Sequence, residues 1–195
     1  MRHDFQLTGY AFELTPVSDI DARFIHELRS NPALNRYLHS SPDYCVQDQL
    51  DWLKAYYARS GDYYFIVSNR ATSQKEGVIS LYDVDEQRRD GEWGRWILKP
   101  NSLAATESAL LIYRFGFESL ELDSVFCRTV ADNKPVVSFH DSTGISDRTR
   151  LHQHFEIEGH SYDAIEHRVD RGSWADVESK LTVLSKMIAR KLCRD

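Results

Sequence analysis

Residues 96–117 read WILKPNSLAATESALLIYRFGF: the end of an apolar strand, a polar turn containing Pro100, then a strongly amphipathic helix. A helix N-terminus carries four backbone N–H groups without intrahelical partners and the positive end of the helix dipole. Asn101, Ser102, Leu103, Ala104, Ala105 and Thr106 therefore form a candidate cradle for a phosphate. The turn has no glycine, the residue such loops use where the backbone must take a positive φ or approach the ligand closely. Alanine suffices where φ is negative. The hydroxyls of Ser102 and Thr106 add donors, and Lys99, Arg148 or Arg150 could supply charge. The same residues also read as an ordinary helix cap. His152 and His154 alternate along a strand and could read a diphosphate, but they lack a third ligand at metal spacing, so no metal is expected. Cys45, Cys127 and Cys193 are far apart and odd in number, which predicts free thiols, with Cys127 inside a strand.

The elements that must position these groups follow from periodicity. At 195 residues with 42% hydrophobic side chains, the chain can build one substantial core, and residues 1–195 are read as a single domain. A net charge of −6 argues against a generic grip on nucleic acid or anionic membrane. No stretch approaches the ~18 apolar residues of a membrane span, and residues 1–10 lack the apolar run of a signal peptide. The expectation is a cytoplasmic protein with neither nucleic acid nor membrane as partner. A first strand is predicted over 10–15, then a helix over 18–30 capped by Ser18, with Ile20, Phe24, Ile25 and Leu28 on one face. A second helix over about 46–60 should bury Leu50, Leu53 and Tyr57. Strands at 62–69, 77–84 and 92–98, joined by polar turns, predict an antiparallel meander. A long helix at 102–120, a strand at 124–130 and a short helix at 133–143 ended by Gly144 come next. A hairpin turning at 158–160 and a last helix at 174–192 complete the chain. Trp174, Val177, Leu181, Leu184 and Ile188 of that helix can cover the core or a second copy, so a homodimer is one expectation.

Four joints carry a recognisable pattern in order: LRSNPALNRYL at 28–38, GVISLYDV at 77–84, GEWGRWIL at 91–98, and Asn133, Val136, Phe139, His140, Gly144 and Ile145 at the spacing N-x-x-V-x-x-F-H-x-x-x-G-I. Over roughly residues 10–169 the sequence resembles the GNAT superfamily of acyl-CoA-dependent N-acyltransferases. Its best match is the branch holding ribosomal-protein and nucleotide-sugar N-acetyltransferases. The family's phosphate signature, [Q/R]-x-x-G-x-[G/A], falls on Pro100, Leu103 and Ala105, of which Ala105 conforms. The resemblance implies an α+β, three-layer α/β/α fold with a mixed seven-stranded sheet. Its fourth and fifth strands, EWGRWIL and SVFCRTV, should be parallel and splayed, with helix 102–120 as the crossover.

The chemistry implied by that resemblance is acyl transfer from a thioester to an amine. It needs a free amine, stabilisation of the oxyanion and a proton for the leaving thiolate. His140 stands where the family keeps a tyrosine beside the thioester sulfur, so it is the candidate acid, against the alternative of a half-buried histidine. Glu92 is the candidate to receive the amine's proton, directly or through water; otherwise it is a solvated edge carboxylate. Backbone N–H groups of Trp96, Ile97 and Leu98 are the implied oxyanion donors. The pyrophosphate of coenzyme A is assigned to residues 101–106, with Asn133 and Ser138 along its pantetheine and diphosphate. Arg36, His39, Ser40, Tyr82, Asp83 and Trp93 are the candidate acceptor-binding residues. The expected activity is transfer of an acetyl or short acyl group from acyl-CoA to the amine of a nucleotide-linked amino sugar, a surface polysaccharide precursor. Acetylation of a protein N-terminus or a ribosomal protein, and a catalytically silent coenzyme-A-fold binding protein, are the alternatives.

Overall fold

The computed structural model describes residues 3–38 and 43–193. Eight strands form one sheet: β1 (Leu7–Thr8), β2 (Phe12–Pro16), β3 (Tyr63–Asn69), β4 (Lys75–Asp85), β5 (Asp90–Leu98), β6 (Ser124–Val130), β7 (Asp147–Ile157) and β8 (His160–Asp170). Their order is β1-β2-β3-β4-β5-β6-β8-β7, antiparallel everywhere except between β5 and β6. Helices α1 (Ala22–Arg29), α2 (Val46–Tyr57), α3 (Ala105–Arg114), α4 (Lys134–Ser142) and α5 (Trp174–Leu192) complete the fold. The parallel pair joins the two segments expected to be parallel. Its numbering moves up by one, and the sheet gains an eighth strand, because Leu7 and Thr8 pair with Leu14 and Glu13.

The run YYFIV in β3 is apolar on both sides because both faces of the sheet are covered. Tyr64 and Ile66 pack with Ile25, Leu28, Leu53 and Tyr56 of α1 and α2, whereas Phe65 and Val67 join the larger core under α3 and α5. Successive strand residues alternate between these two cores.

Several local expectations are corrected. Residues 19–21 form a 3₁₀ turn before α1, leaving Ile20 85% exposed while Ala22, Ile25 and Leu28 face the core. In α2 the buried stripe is Gln49, Leu53 and Tyr56, so Leu50 and Tyr57 are only half-buried. The crossover helix ends at Arg114 and continues as one π turn, Phe115–Ser119. There Gly116 lets the chain approach β6, since a Cβ would lie 2.6 Å from Val125 Cγ2. Leu184 of α5 turns partly to solvent, and Ser185 takes the buried position beside Trp174, Val177 and Leu181.

Glu107, in the first turn of α3, is fully buried and accepts backbone N–H bonds from Tyr10, Ala11 (3.0 Å) and Phe12 (3.1 Å). It ties the β1–β2 turn to the crossover helix. Gly9 makes room for it, as a Cβ there would sit 2.2 Å from Glu107 Oε1. Replacing the carboxylate by an amide turns one acceptor oxygen into a donor facing other donors. Glu107→Gln is therefore expected to lower the unfolding free energy in urea by about 2–3 kcal/mol. A loss below about 0.5 kcal/mol, the usual range of an uninvolved surface change, would contradict the role assigned to it.

Candidate active site

Strands β5 and β6 stay paired only at Asp90–Ser124, Gly91–Val125 and Glu92–Phe126. Beyond Glu92 they separate. β6 remains in register with β8 along its full length, while β5 follows β4 through an irregularity opposite Val78–Ser80, where Arg95 takes φ 46°. The separation opens a cleft of about 770 Å³ whose lining includes Trp93, Trp96, Ile97 and Leu98 on one side and Cys127, Arg128, Thr129 and Val130 on the other. The edge of β5 facing β6 thus has no strand partner over its last six residues. Unpaired backbone N–H and C=O groups in such a place can pair with an extended amide-containing chain.

The two candidate reactive side chains lie on opposite faces of the sheet, Glu92 on β5 and His140 on α4 beneath its neighbour Trp93. Glu92 lies on the α1–α2 side, where its Oε1 accepts from the Tyr82 hydroxyl (3.1 Å) and its Oε2 from Arg128 (2.9 Å). Arg128 also donates to Glu166 (2.9 Å). Burial pushes Glu92 above the ordinary carboxylate range, opposed first by the Arg128 charge and then by the Tyr82 bond. Trp93, the next residue, faces α3 and stacks edge-on against Tyr113 and His140. His140 forms the floor on that side, 2% exposed, with Nε2 3.6 Å from Cys127 Sγ and its ring 5.1 Å from that of His167. Burial, then the neighbouring His167, pushes it down to about 3. His140 is fully buried rather than half-buried, and at neutral pH it is an uncharged imidazole.

Other expected residues are distributed unevenly. Arg36, Tyr82, Trp93, Trp96, Ile97, Leu98 and Asn133 line the cleft, and the Asn133 side chain makes no cap bond to α4. Asp83 is exposed at φ 51° and Ser138 is exposed on α4; neither lines it. His39 and Ser40 fall outside the described residues. Asn101, Ser102, Leu103, Ala104, Ala105 and Thr106 lie past Leu98 at the α3 N-terminus, outside the cleft lining. Asn101 takes the positive φ (65°) that glycine would otherwise serve, and Ser102 Oγ accepts the Ala104 N–H at 3.3 Å. The proposed charges do not converge there: Arg148 bonds Asp141, Arg150 bonds Asp163, and Lys99 lies over the Phe24 ring. Among the described residues no cluster of three His, Cys, Asp or Glu could hold a metal, and no helix is long and apolar enough to cross a membrane.

Arg95, Arg128, Arg29, Tyr37 and Phe155 also line the cleft and were not among the expected residues. Arg128 had a signal: it alternates with Cys127 on a strand recognised as the far wall. Phe155 had none, because it reaches the cleft only through the pairing of β7 with β8.

The model of the acetyltransferase (GNAT) domain matches residues 12–146. The chain belongs to the GNAT acetyltransferase family. It is an acyl-CoA-dependent N-acyltransferase by that membership, and the family's donor is acetyl-CoA. Apo FdhC, described as a nucleotide-linked sugar GNAT, is 28% identical with a TM-score of 0.75, covering 91% of this chain and 97% of its own. Spermidine N(1)-acetyltransferase of Escherichia coli K12 is 23% identical over 161 residues, 81% of this chain and 85% of the relative. The Vibrio cholerae spermidine N-acetyltransferase complex with CoA and spermine is 18% identical, with TM-score 0.75 and coverages of 86% and 99%; at that identity it speaks for the fold alone.

In this GNAT protein the buried His140 leaves a pH signature. Its folded-state pKa lies below the unfolded value of about 6.5, so the unfolded chain binds a proton that the native state refuses. Stability from this group is complete above pH 6.5 and is lost as pH falls toward 3, by about 1.4 kcal/mol per pH unit. Comparing wild type with His140→Phe by urea unfolding, the wild-type advantage should shrink by about 2 kcal/mol between pH 7 and pH 5. Parallel curves would show that the imidazole is not held neutral.

Proposed function

We propose that this enzyme transfers an acetyl or short acyl group to the amine of a nucleotide-linked amino sugar. The observation that carries the reading is the charge of the cleft. Arg29, Arg36, Arg95 and Arg128 line it against Glu92 and Asp132. Arg95 and Arg128 are committed to Asp62, Glu92 and Glu166, while Arg36 has no ion pair among the described residues and stacks on Tyr37. An anionic diphosphate fits such a mouth. A polyamine, with several ammonium groups, would need several carboxylates free to receive them. Glu92 is already engaged by Arg128 and Tyr82, which leaves Asp132 as the one lining carboxylate without a close partner among the described residues. The likeness to the nucleotide-linked sugar GNAT over 91% of the chain supports the same choice.

In this reading the donor enters from the α3 side and the acceptor from the α1–α2 side, meeting where β5 leaves β6. Pantetheine amides pair with the open edge of β5, and the α3 N-terminus at residues 101–106, with Asn133, receives the diphosphate end. The neutral amine attacks the thioester carbonyl, and the proton its nitrogen sheds as the amide forms passes to Glu92, directly or through water. Those backbone N–H groups within Trp96, Ile97 and Leu98 that face the gap hold the charge on the carbonyl oxygen. The C–S bond breaks as the carbonyl re-forms. A neutral His140 is a poor proton donor to a thiolate but a competent hydrogen-bond donor, so it steadies the departing sulfur, and the proton on Glu92 balances the charge. An amino-sugar amine with pKa near ~8 needs no stronger base.

Thiol release from acetyl-CoA, measured with a panel of nucleotide-linked amino sugars, spermidine and N-terminal peptides, tests the assignment. At least one nucleotide sugar should exceed spermidine in kcat/KM, and Arg36→Ala should raise that sugar's KM by about 10-fold or more, the scale of one charge-assisted hydrogen bond. Preference for spermidine or peptide would overturn it.

A further inference from the structure

The α1–α2 side of the cleft contains a second assembly, built around Glu92. The groups that face Glu92 are Tyr82 and Asp83 from β4, Arg128 from β6 and, behind Arg128, Glu166 from β8. Tyr82 is fixed from its far side. The Arg95 guanidinium stands 4.3 Å from the centroid of its ring and 5.3 Å from that of Trp52. Arg95 in turn donates to both oxygens of Asp62 at 2.6 and 3.1 Å, and Asp62 is 4% exposed. The left-handed backbone at Arg95 is what turns this side chain back over the tyrosine. Gly94 is an independent sign of the same arrangement. Its φ is not in the left-handed region, so the backbone does not require glycine. A Cβ there would instead meet Tyr82, 2.9 Å from the hydroxyl and 3.3 Å from Cε1. Glycine clears the path along which the hydroxyl reaches Glu92.

We propose that Gly94, Arg95 and Asp62 form a positioning unit that keeps the Tyr82 hydroxyl donating to Glu92 Oε1, and that this bond works with the Arg128 charge to favour the ionised form of Glu92 able to take a proton from the substrate amine. The second half rests on the reading of Glu92 as proton acceptor. Glu92 is 7% exposed and has Asp83 and Glu166 for neighbours, all of which favour the protonated acid. Arg128 and the phenol hydrogen bond oppose them. Arg128 divides its charge between two carboxylates, and the phenol bond adds to it as the second opposing contribution.

Carboxyl ¹³C NMR of protein labelled at glutamate, with the Glu92 signal assigned by its loss in Glu92→Gln, reads the ionisation directly and needs no substrate. The titration midpoint of Glu92 should move up by about one pH unit or more in Tyr82→Phe, the scale of one hydrogen bond to a charged group. Gly94→Ala should produce a shift of the same sign, and Gly94→Ala in the Tyr82→Phe background should add nothing, because the displaced hydroxyl is already gone. Arg95→Lys, which keeps charge but cannot lie flat over the ring or bind Asp62 through a fork, should shift it partway. Unchanged midpoints in Tyr82→Phe and Gly94→Ala would overturn the positioning unit. Failure of the acceptor reading is seen separately: normal acetyl-CoA turnover by Glu92→Gln with a UDP-linked amino sugar would remove Glu92 from the chemistry while leaving the titration result standing.

Discussion

The separation of β5 from β6 after three paired residues is the constraint from which the rest of the site follows. A parallel pair inside a continuous sheet would have spent its backbone groups on each other. Here β6 is held by β8 and β5 by β4, so neither strand can drift to close the gap. The irregularity in β5 at Arg95 does two things at once. It bends the strand away from β6, and it aims the arginine at Tyr82. The crossover α3 begins at Ala105, separated from the end of β5 at Leu98 by six residues, 99–104, none of them glycine.

Because the gap passes through the sheet, alternation alone assigns neighbouring residues to different tasks. Glu92 and Trp93 are consecutive, as are Cys127 and Arg128, yet one of each pair serves the polar side and the other the apolar floor. The polar side is a chain of charges with partners, running Asp62, Arg95, Tyr82, Glu92, Arg128, Glu166. The floor is aromatic and neutral: Trp93, Trp96, Phe139 and an imidazole that burial keeps uncharged. In the proposed reaction the thioester carbonyl lies on the apolar side, and Glu92 on the opposite side takes the amine's proton. Glu107 adds a structural counterpart. It is a buried carboxylate whose three backbone donors fix α3 to the start of the sheet.

Much of this was legible in the residues. The alternation of β6 and the periodicity of α5 predicted their limits residue for residue, and the joints at 28–38, 77–84, 91–98 and 133–145 carried the family. Three kinds of feature were not legible. Helical rotation within a known helix, as at Leu50 against Gln49 and Leu184 against Ser185, depends on which face meets the sheet. Long-range convergence, as of Phe155 on the cleft and Arg148 on Asp141 instead of α3, depends on how the strands pair across the sheet. The charge state of His140 depends on burial depth, and a histidine at 2% exposure looks the same in sequence as one at the surface. Asn101 shows the opposite case, a polar residue known to tolerate the left-handed region standing where a glycine was missed.

Hydrogen–deuterium exchange with and without coenzyme A measures most directly whether the open edge of β5 is where the donor lies. Slower exchange of amides within 93–98 and at the α3 N-terminus, with β3 and α5 unchanged, is the outcome that edge pairing predicts. Coenzyme A that binds without slowing any amide in 93–98, or that protects only the groove between Tyr10 and Cys193, would contradict it.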